Sequence, residues 1–202
     1  MYRLCVIGDP VAHSRSPAIH TALLRQRGLE GVYETVTVRP EELAGFVKCA
    51  RAGDYDGFNV TMPHKQTILP LLDAVAEDAA AMGAVNTVVV RQGRATGYNT
   101  DGPGFVATLP EGVADKRVLV LGSGGAASAV SRAVVNAGGR VTVCCRHPEK
   151  TEGWGVTARL WRELPQLAAE CDVLVNATPL GMTGQETFDG FAFLDGCRGL
   201  VY

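Results

Sequence analysis

A glycine-rich turn between an apolar run and a helical pattern constrains the fold of this chain more than any other feature. Residues 118–121 are Val-Leu-Val-Leu, and residues 122–127 read Gly-Ser-Gly-Gly-Ala-Ala, which fits G-x-G-x-x-G/A. The first glycine of this motif makes a tight turn, the second lets backbone amides approach a pyrophosphate, and the small last residue lets helix and strand pack closely. The segment predicts a Rossmann-type unit that binds a dinucleotide. The alternative is a tight strand-to-helix turn without a ligand.

The end of the next strand pattern, residues 140–145, indicates which dinucleotide would bind. Enzymes that use NAD usually have an Asp or Glu at this strand end, where it binds the ribose 2′-hydroxyl. Here Arg146 follows the strand, and Lys150 lies in the same loop. Because a guanidinium forms paired hydrogen bonds with a phosphate, Arg146 favours the 2′-phosphate of NADP. The alternative is that both cations only decorate a solvated loop.

Strand and helix patterns alternate along the chain, which predicts an α/β fold with mostly parallel sheets covered on both faces. In the first half, strand patterns occur at residues 2–8, 32–38, 57–61, 85–91 and 94–98, with Gln92-Gly93 as a hairpin signal. Helix patterns begin at Ser16, which is expected to cap its helix, and at Pro40, and an alanine-rich helix is expected at residues 71–82. In the second half, strands at 117–121, 140–145 and 172–176 accompany a helix at 126–136, and residues 148–156 predict an irregular crossover.

A domain boundary is predicted between residues 101 and 116, where glycine and proline interrupt the pattern before the strand–helix rhythm restarts. The interrupting residues are Gly102, Pro103, Gly104, Pro110 and Gly112. We therefore expect a substrate-binding catalytic domain at residues 1–101 and a Rossmann-type domain at residues 102–202.

Composition and charge exclude several classes of protein. A formal net charge of −2 provides no field for nucleic acid or an acidic membrane, and a hydrophobic content of 47% excludes disorder. No apolar run reaches the ~18 residues of a membrane span, and the N-terminus lacks a secretory pattern, so we expect a cytoplasmic protein. The six cysteines have no Cys-x-x-Cys or metal-ligand spacing and are expected to be reduced and buried, without a metal.

Polar side chains gather where the strands of the first half end, the edge at which open α/β sheets bind ligands. They are Ser14 and Ser16, then Asn59, Thr61 and Lys65, then Asn86 and Thr87, and finally Asn99, Thr100 and Asp101. Singly, each has a structural explanation, such as capping a helix or satisfying turn backbone. Together, beside a nucleotide loop, they predict a cleft for one small polyhydroxylated molecule.

Six separated motifs, in order along nearly the whole chain, resemble the shikimate dehydrogenase family. They are Gly-Asp-Pro-Val-Ala-His-Ser-Arg-Ser-Pro at 8–17, Asn-Val-Thr-Met-Pro-His-Lys at 59–65, Gly-Ala-Val-Asn-Thr at 83–87, Gly-Tyr-Asn-Thr-Asp-Gly-Pro-Gly at 97–104, the turn at 122–127, and Asn-Ala-Thr-Pro-Leu-Gly-Met at 176–182. The resemblance implies an N-terminal substrate domain and a C-terminal Rossmann NADP-binding domain. It also implies NADPH-dependent reduction of 3-dehydroshikimate to shikimate in aromatic amino acid biosynthesis.

The resemblance implies roles for individual residues as well. Lys65 and Asp101 match the catalytic pair, and Ser14 and Ser16 match serines that hold the substrate carboxylate. The positions that match groups binding ring hydroxyls are Asn59, Thr61, Asn86 and Asp101. The positions that match cofactor contacts are Gly122, Gly124, Gly125, Ala126, Arg146, Lys150 and Glu77. The implied partners are a small-molecule substrate and NADP, without nucleic acid or membrane, and a homodimer is the assembly to test.

The chemistry of Lys65 and Asp101 agrees with those roles. Hydride arriving at a ketone carbon leaves alkoxide charge, and an ammonium beside the oxygen stabilises that charge and donates the proton. A carboxylate beside the ammonium orients it and keeps it protonated.

The chain departs from the family pattern in the cofactor loop, at Pro179 and at its end. Cys145 and His147 stand where asparagine and threonine usually flank the arginine, and Pro179 stands where serine is common. The sequence ends at Tyr202, earlier than in the family, so we expect an incomplete Rossmann domain with an unpaired apolar edge at residues 200–202. Two alternatives stay open: a quinate/shikimate dehydrogenase that uses NAD, and a non-catalytic module that binds ligand or nucleotide.

Overall fold

The computed structural model describes residues 1–202, which form two compact units, Met1–Thr100 and Asp101–Tyr202. The domains predicted from the sequence meet between residues 101 and 102, whereas in the structure Asp101 belongs to the second unit. Both units combine helices with a sheet of their own, so the predicted α/β class is confirmed. None of the helices has the length and apolar character that crossing a membrane requires.

The first unit contains a six-stranded mixed sheet. Its strands are β1 (Tyr2–Gly8), β2 (Gly31–Thr37), β3 (Gly57–Val60), β4 (Ala74–Val75), β5 (Thr87–Arg91) and β6 (Arg94–Tyr98), in the order β2-β1-β3-β5-β6-β4. Its helices are α1 (Ser16–Gln26), α2 (Leu43–Cys49), α3 (His64–Thr67) and α4 (Glu77–Met82). β1 pairs in parallel with β2 and β3, so the carboxyl ends of these strands lie at one edge of the sheet. The predicted hairpin joins the antiparallel strands β5 and β6, and Gln92 and Gly93 have the positive φ angles of such a turn, 52° and 73°.

The core of the first unit lies between the sheet and α2. Leu43 and Val47, one helical turn apart, are 3% and 1% exposed and pack in one cluster with Ile7 and Phe58 of the sheet. The apolar periodicity that predicts this helix is therefore confirmed, although the α-helix begins at Leu43, after a 3-10 turn at Pro40–Glu42.

α1 begins at Ser16, as predicted, but it is not a core helix. None of its eleven residues is buried, and Ile19 and Leu23 are 56% and 45% exposed. The expectation that Ser16 caps the helix is wrong, because the N-cap is Arg15 and the Ser16 N–H donates to the Ser14 hydroxyl oxygen at 3.2 Å. The Ser16 hydroxyl therefore has no capping role.

The alanine-rich helix predicted at residues 71–82 is wrong in its first half. A 3-10 turn at Leu69–Leu71 leads into β4, and only Glu77–Met82 is helical. β4 pairs with β6, and the Asp73 carboxylate beside it accepts the Ala95 N–H at 2.8 Å. This pairing of segments that are distant in sequence outweighs the helix propensity of alanine.

The second unit contains a five-stranded parallel sheet. Its strands are β7 (Arg117–Leu121), β8 (Arg140–Cys145), β9 (Thr157–Leu160), β10 (Val173–Asn176) and β11 (Leu200–Val201), in the order β11-β10-β7-β8-β9. Its helices are α5 (Asp101–Thr108), α6 (Gly125–Asn136) and α7 (Leu164–Glu170). β11 is an edge strand, and Leu200 and Val201 are half exposed.

Both faces of this sheet are covered, as the alternation of strands and helices predicts. Val118 and Val120 of β7 pack in a cluster with α6, and Leu119 and Leu121 pack with α7 on the opposite face. Each of these four side chains is at most 1% exposed. The central strand is therefore apolar at every position inside the sheet, which is typical of a strand buried on both faces.

β9 and α7 of the second unit are not among the predicted elements. The irregular crossover predicted at residues 148–156 is confirmed, since it contains only a 3-10 turn at Pro148–Thr151. β9 then pairs with β8 at the edge of the sheet. A four-residue edge strand and a seven-residue helix leave too short a pattern to be read from sequence alone.

The cysteines differ partly from the expectation. All six are free, and Cys5, Cys144, Cys145 and Cys171 are buried, but Cys49 is exposed and Cys197 is half-buried. Cys49 is the last residue of α2 and does not lie on the face that carries Leu43 and Val47. Burial raises the pKa of Cys5 and of Cys144 to about 12, so both remain protonated thiols. No group of three or more His, Cys, Asp or Glu side chains is placed to hold a metal ion.

Candidate functional site

The loop after β3 folds tightly over the end of β1 in the first unit. The Asp9 N–H donates to the Met62 carbonyl at 3.0 Å. A Cβ at Gly8 would lie 2.5 Å from Cγ2 of Thr61 and 2.8 Å from the Met62 oxygen, so only glycine fits there. This close approach brings Thr61, which sequence analysis assigns to the substrate, to the edge where β1 ends.

Lys65 lies on α3, a short helix held from two sides. His64 is fully buried, and its Nε2 donates to the Val38 carbonyl just after β2 at 2.6 Å. The Lys65 carbonyl accepts the Val85 N–H at 2.8 Å. These two hydrogen bonds fix the backbone of Lys65 near the carboxyl ends of the parallel strands, and its side chain is half-buried there.

Asn59 and Asn86 belong to one hydrogen-bonded network in the first unit. The Asn59 amide donates to the Asn86 carbonyl at 3.2 Å and to the Thr87 hydroxyl at 3.0 Å. The Thr87 hydroxyl donates to Oδ1 of Asn86 at 2.9 Å, and the Thr100 N–H donates to the same oxygen at 2.9 Å. Two residues assigned to substrate hydroxyls are thus oriented by each other and by their neighbours.

Tyr33 extends this network and is the residue that sequence reasoning missed. Its hydroxyl donates to Oδ1 of Asn59 at 2.6 Å, and the Ser16 side chain lies beside the same phenol. Burial raises the pKa of Tyr33, whereas the neighbouring Ser16 hydroxyl acts in the opposite direction. Tyr33 follows no recognisable motif, and it lies 26 residues from Asn59, so no local signal identifies it.

The glycine turn of the second unit lies between β7 and α6, the context that the sequence predicts. Gly122 has a φ of +104°, and a Cβ there would lie 2.9 Å from Cγ2 of Thr178 and 3.2 Å from the Ala177 oxygen. Gly124 is the N-cap of α6, and an added Cβ at this position meets no atom within 4 Å. Ala127 is fully buried beneath the turn. The turn is therefore tight on its inner side and open at Gly124, which fits a loop that receives a pyrophosphate.

The other proposed cofactor contacts of this unit lie at the end of β8. Arg146 follows the strand directly, and both Arg146 and Lys150 are exposed. The neighbouring carboxylate of Glu149 contacts Nδ1 of His147 at 3.1 Å. Two exposed cations at this strand end fit the 2′-phosphate of NADP better than a bare ribose hydroxyl.

Two predicted residues, Asp101 and Glu77, lie outside these groups. Asp101 is the first residue of α5 in the second unit and is half-buried. Lys65 belongs to the first unit, so the pairing of Lys65 with Asp101 stays a prediction. Glu77 is exposed at the start of α4 in the first unit.

Comparisons with known proteins agree with the motifs. The family described as shikimate dehydrogenase substrate binding domain matches residues 6–88. Shikimate dehydrogenase (NADP(+)) of Oleidesulfovibrio alaskensis is 42% identical over 207 residues, which cover 98% of this chain and 74% of that protein. The enzyme of the same name from Shouchella clausii is 40% identical over 189 residues, covering 88% of this chain and 69% of that protein.

Solved structures show the same similarity. Shikimate 5-dehydrogenase of Thermus thermophilus, in complex with NADP(H) and shikimate, has a TM-score of 0.83 at 43% identity and covers 90% of this chain and 70% of that one. Shikimate dehydrogenase of Aquifex aeolicus has a TM-score of 0.87 at 33% identity, with coverage of 100% and 86%. A 5-ketofructose reductase of a Gluconobacter strain is also similar, with a TM-score of 0.76 at 34% identity and coverage of 89% and 70%. The chain therefore belongs to the shikimate dehydrogenase family.

Proposed function

We propose that this chain is an NADP-dependent shikimate dehydrogenase that reduces 3-dehydroshikimate to shikimate. The observation that carries the proposal is the hydrogen-bonded network of Tyr33, Asn59 and Asn86 in the first unit, with Ser16 beside the Tyr33 phenol. These residues present hydroxyl and amide groups near a lysine whose backbone is fixed, which suits a small acid with several hydroxyls. Relatives of which this chain covers 69% and 74% carry the name of that activity.

Ser14 and Ser16 are proposed to bind the carboxylate of the substrate. Both lie at the N-terminus of α1, where the helix dipole favours an anion, and their hydroxyls can donate to it. Asn59, Thr61, Asn86 and Asp101 are proposed to bind the ring hydroxyls.

Lys65 is proposed to hold a proton at Nζ and to donate it to the oxygen of the ketone as that oxygen becomes an alkoxide. Asp101 is proposed to orient the ammonium and to keep it charged. Because the His64 ring and the Val85 N–H fix the backbone of α3, the flexible Lys65 side chain would extend toward the substrate from a fixed position.

The residues proposed to hold NADP are those of the glycine turn and of the loop after β8. Gly122, Gly124, Gly125 and Ala126 would bind the pyrophosphate, and Arg146 and Lys150 would bind the 2′-phosphate. When bound, NADPH supplies the hydride, and the protein supplies orientation and the proton. Glu77 is a proposed cofactor contact on the resemblance alone.

The purified chain should reduce NADP⁺ when shikimate is added, measured as the rise in absorbance of NADPH. Quinate, 5-ketofructose and NAD⁺ are tested in the same assay. Reduction with shikimate and NADP⁺ that clearly exceeds the other combinations supports the proposal. A preference for quinate with NAD⁺ would favour the second dehydrogenase, and binding without turnover would favour the non-catalytic module.

A further inference from the structure

We propose that Tyr33 is a positioning residue that holds Ser16 and Asn59 in the arrangement that binds the substrate; this inference rests on the proposed function. Tyr33 lies on β2 and is 8% exposed. Its hydroxyl donates to Oδ1 of Asn59 at 2.6 Å, and the ring of His20 stacks on its ring with centroids 4.4 Å apart and planes 5° from parallel. One side chain thus contacts both α1 and β3.

Tyr33 is one of the side chains that hold α1 in place. None of its residues is buried in the first unit. Ser16 and His20 are one helical turn apart and lie on the same face of α1, and both contact Tyr33. Burial lowers the pKa of His20, so at neutral pH its ring stacks in the uncharged form. Tyr33 therefore fixes the first turn of α1, where the proposed carboxylate site lies.

Tyr33 and the Asn86 carbonyl together determine which way the Asn59 amide faces. A phenol has one proton to donate, and the Tyr33 hydroxyl donates it to Oδ1 of Asn59. Both hydrogens on Nδ2 of Asn59 are used, one for the Asn86 carbonyl and one for the Thr87 hydroxyl. The only hydrogen-bonding capacity left to the Asn59 side chain is a lone pair on Oδ1. A hydroxyl of the ligand must therefore donate to Asn59 rather than accept from it.

The alternative is a core tyrosine with no effect on the ligand. In that case the ring contributes through burial and stacking, and the hydroxyl contributes only to stability. Tyr33→Phe separates these readings because it keeps the ring and removes the hydroxyl alone. Tyr55→Phe is the matched control: the Tyr55 hydroxyl donates to Oε1 of Glu34 at 2.8 Å in the same unit and contacts none of the proposed site residues.

The test compares the wild-type chain with Tyr33→Phe and Tyr55→Phe. Loss of the shared hydroxyl should raise KM for shikimate about tenfold, because Ser16 and Asn59 lose a partner in both ground and transition states. The kcat should stay within about twofold, and KM for NADP⁺ should not change. Tyr55→Phe should leave all three constants at wild-type values. Thermal denaturation shows that each variant is folded, and calorimetric titration with shikimate gives Kd without turnover.

Equal Kd and KM for shikimate in Tyr33→Phe and wild type would overturn the inference and leave the proposed function intact. A fall in kcat as large as the rise in KM would also overturn it, since Tyr33 would then act in the chemistry. A wild-type chain that binds shikimate without reducing NADP⁺ would overturn the proposed activity, and the two Kd values would still decide the role of Tyr33. A wild-type chain that does not bind shikimate would overturn both.

Discussion

Alanine at Gly122 should lower the free energy of unfolding, whereas alanine at Gly124 should lower the affinity for the cofactor and leave the fold intact. At Gly122 a side chain meets a φ of +104° and lies 2.9 Å from Cγ2 of Thr178. Thr178 cannot easily rotate away, because its hydroxyl donates to Oδ1 of Asn176 at 2.6 Å. Backbone strain and overpacking together should lower the free energy of unfolding by about 2–4 kcal/mol.

Gly124 has an extended conformation that any residue adopts, with φ −87° and ψ −174°, and open space around an added Cβ. Gly124→Ala should therefore change the free energy of unfolding by less than about 0.5 kcal/mol. The same methyl group would occupy the position that a pyrophosphate approaches, so affinity for NADP⁺ should fall about tenfold, or ~1.4 kcal/mol.

Urea denaturation followed by tryptophan fluorescence measures the free energy of unfolding of the second unit. The chain has two tryptophans, Trp154 and Trp161, and both lie in the second unit. Calorimetric titration with NADP⁺ measures the affinity of each variant for the cofactor. A Gly122→Ala variant as stable as wild type would refute the geometric reasoning, and a Gly124→Ala variant with wild-type affinity would show that no phosphate approaches this turn.

Three further predictions concern charge. The Arg117 hydrogen bonds lower the pKa of Asp172 to about 2 from an ordinary 3.8, so the unfolded chain takes up the proton at a higher pH than the folded chain. The free energy of unfolding should therefore fall as the pH drops from 3.8 to about 2. Asp172→Asn should remove this contribution, as measured by urea denaturation at several pH values. Burial lowers the pKa of His20, so the unfolded chain binds the proton more readily than the folded chain. The contribution of His20 to the free energy of unfolding should be constant above about pH 6.5 and decrease below it. An NMR titration of the folded chain should give a midpoint below 6.5. Arg146→Ala should raise KM for NADPH much more than KM for NADH. Substitution of another exposed arginine of the same unit, Arg162→Ala, should raise neither KM. Equal effects of Arg146→Ala on the two cofactors would show that Arg146 does not bind the 2′-phosphate.

Features set by neighbouring residues could be predicted from the sequence. β7, the glycine turn and α6 follow from a continuous apolar run and three small residues, so their positions agree with the structure. The hairpin at Gln92-Gly93 is equally local. In each case the backbone conformation is decided within a few residues by sterics and turn chemistry.

Features set by distant residues could not be predicted. β4 replaces the expected helix because it pairs with β6. α1 packs against the edge strand β2 and has no buried residue, and no periodicity in the sequence indicates this. The contact of Tyr33 with Asn59 joins two strands that flank β1, so the candidate site was recognised by its motifs but not by the side chain that links them.

The central claim is that Lys65 donates the proton in a reaction that the rest of the first unit prepares by binding the substrate. Its most direct test is the kcat for shikimate oxidation by Lys65→Ala, with the exposed Lys48→Ala on α2 as the control. We predict that Lys65→Ala lowers kcat by about 10²–10⁴ while Kd for shikimate changes by only a modest factor, and that Lys48→Ala behaves as wild type. Unchanged turnover in Lys65→Ala would contradict the account.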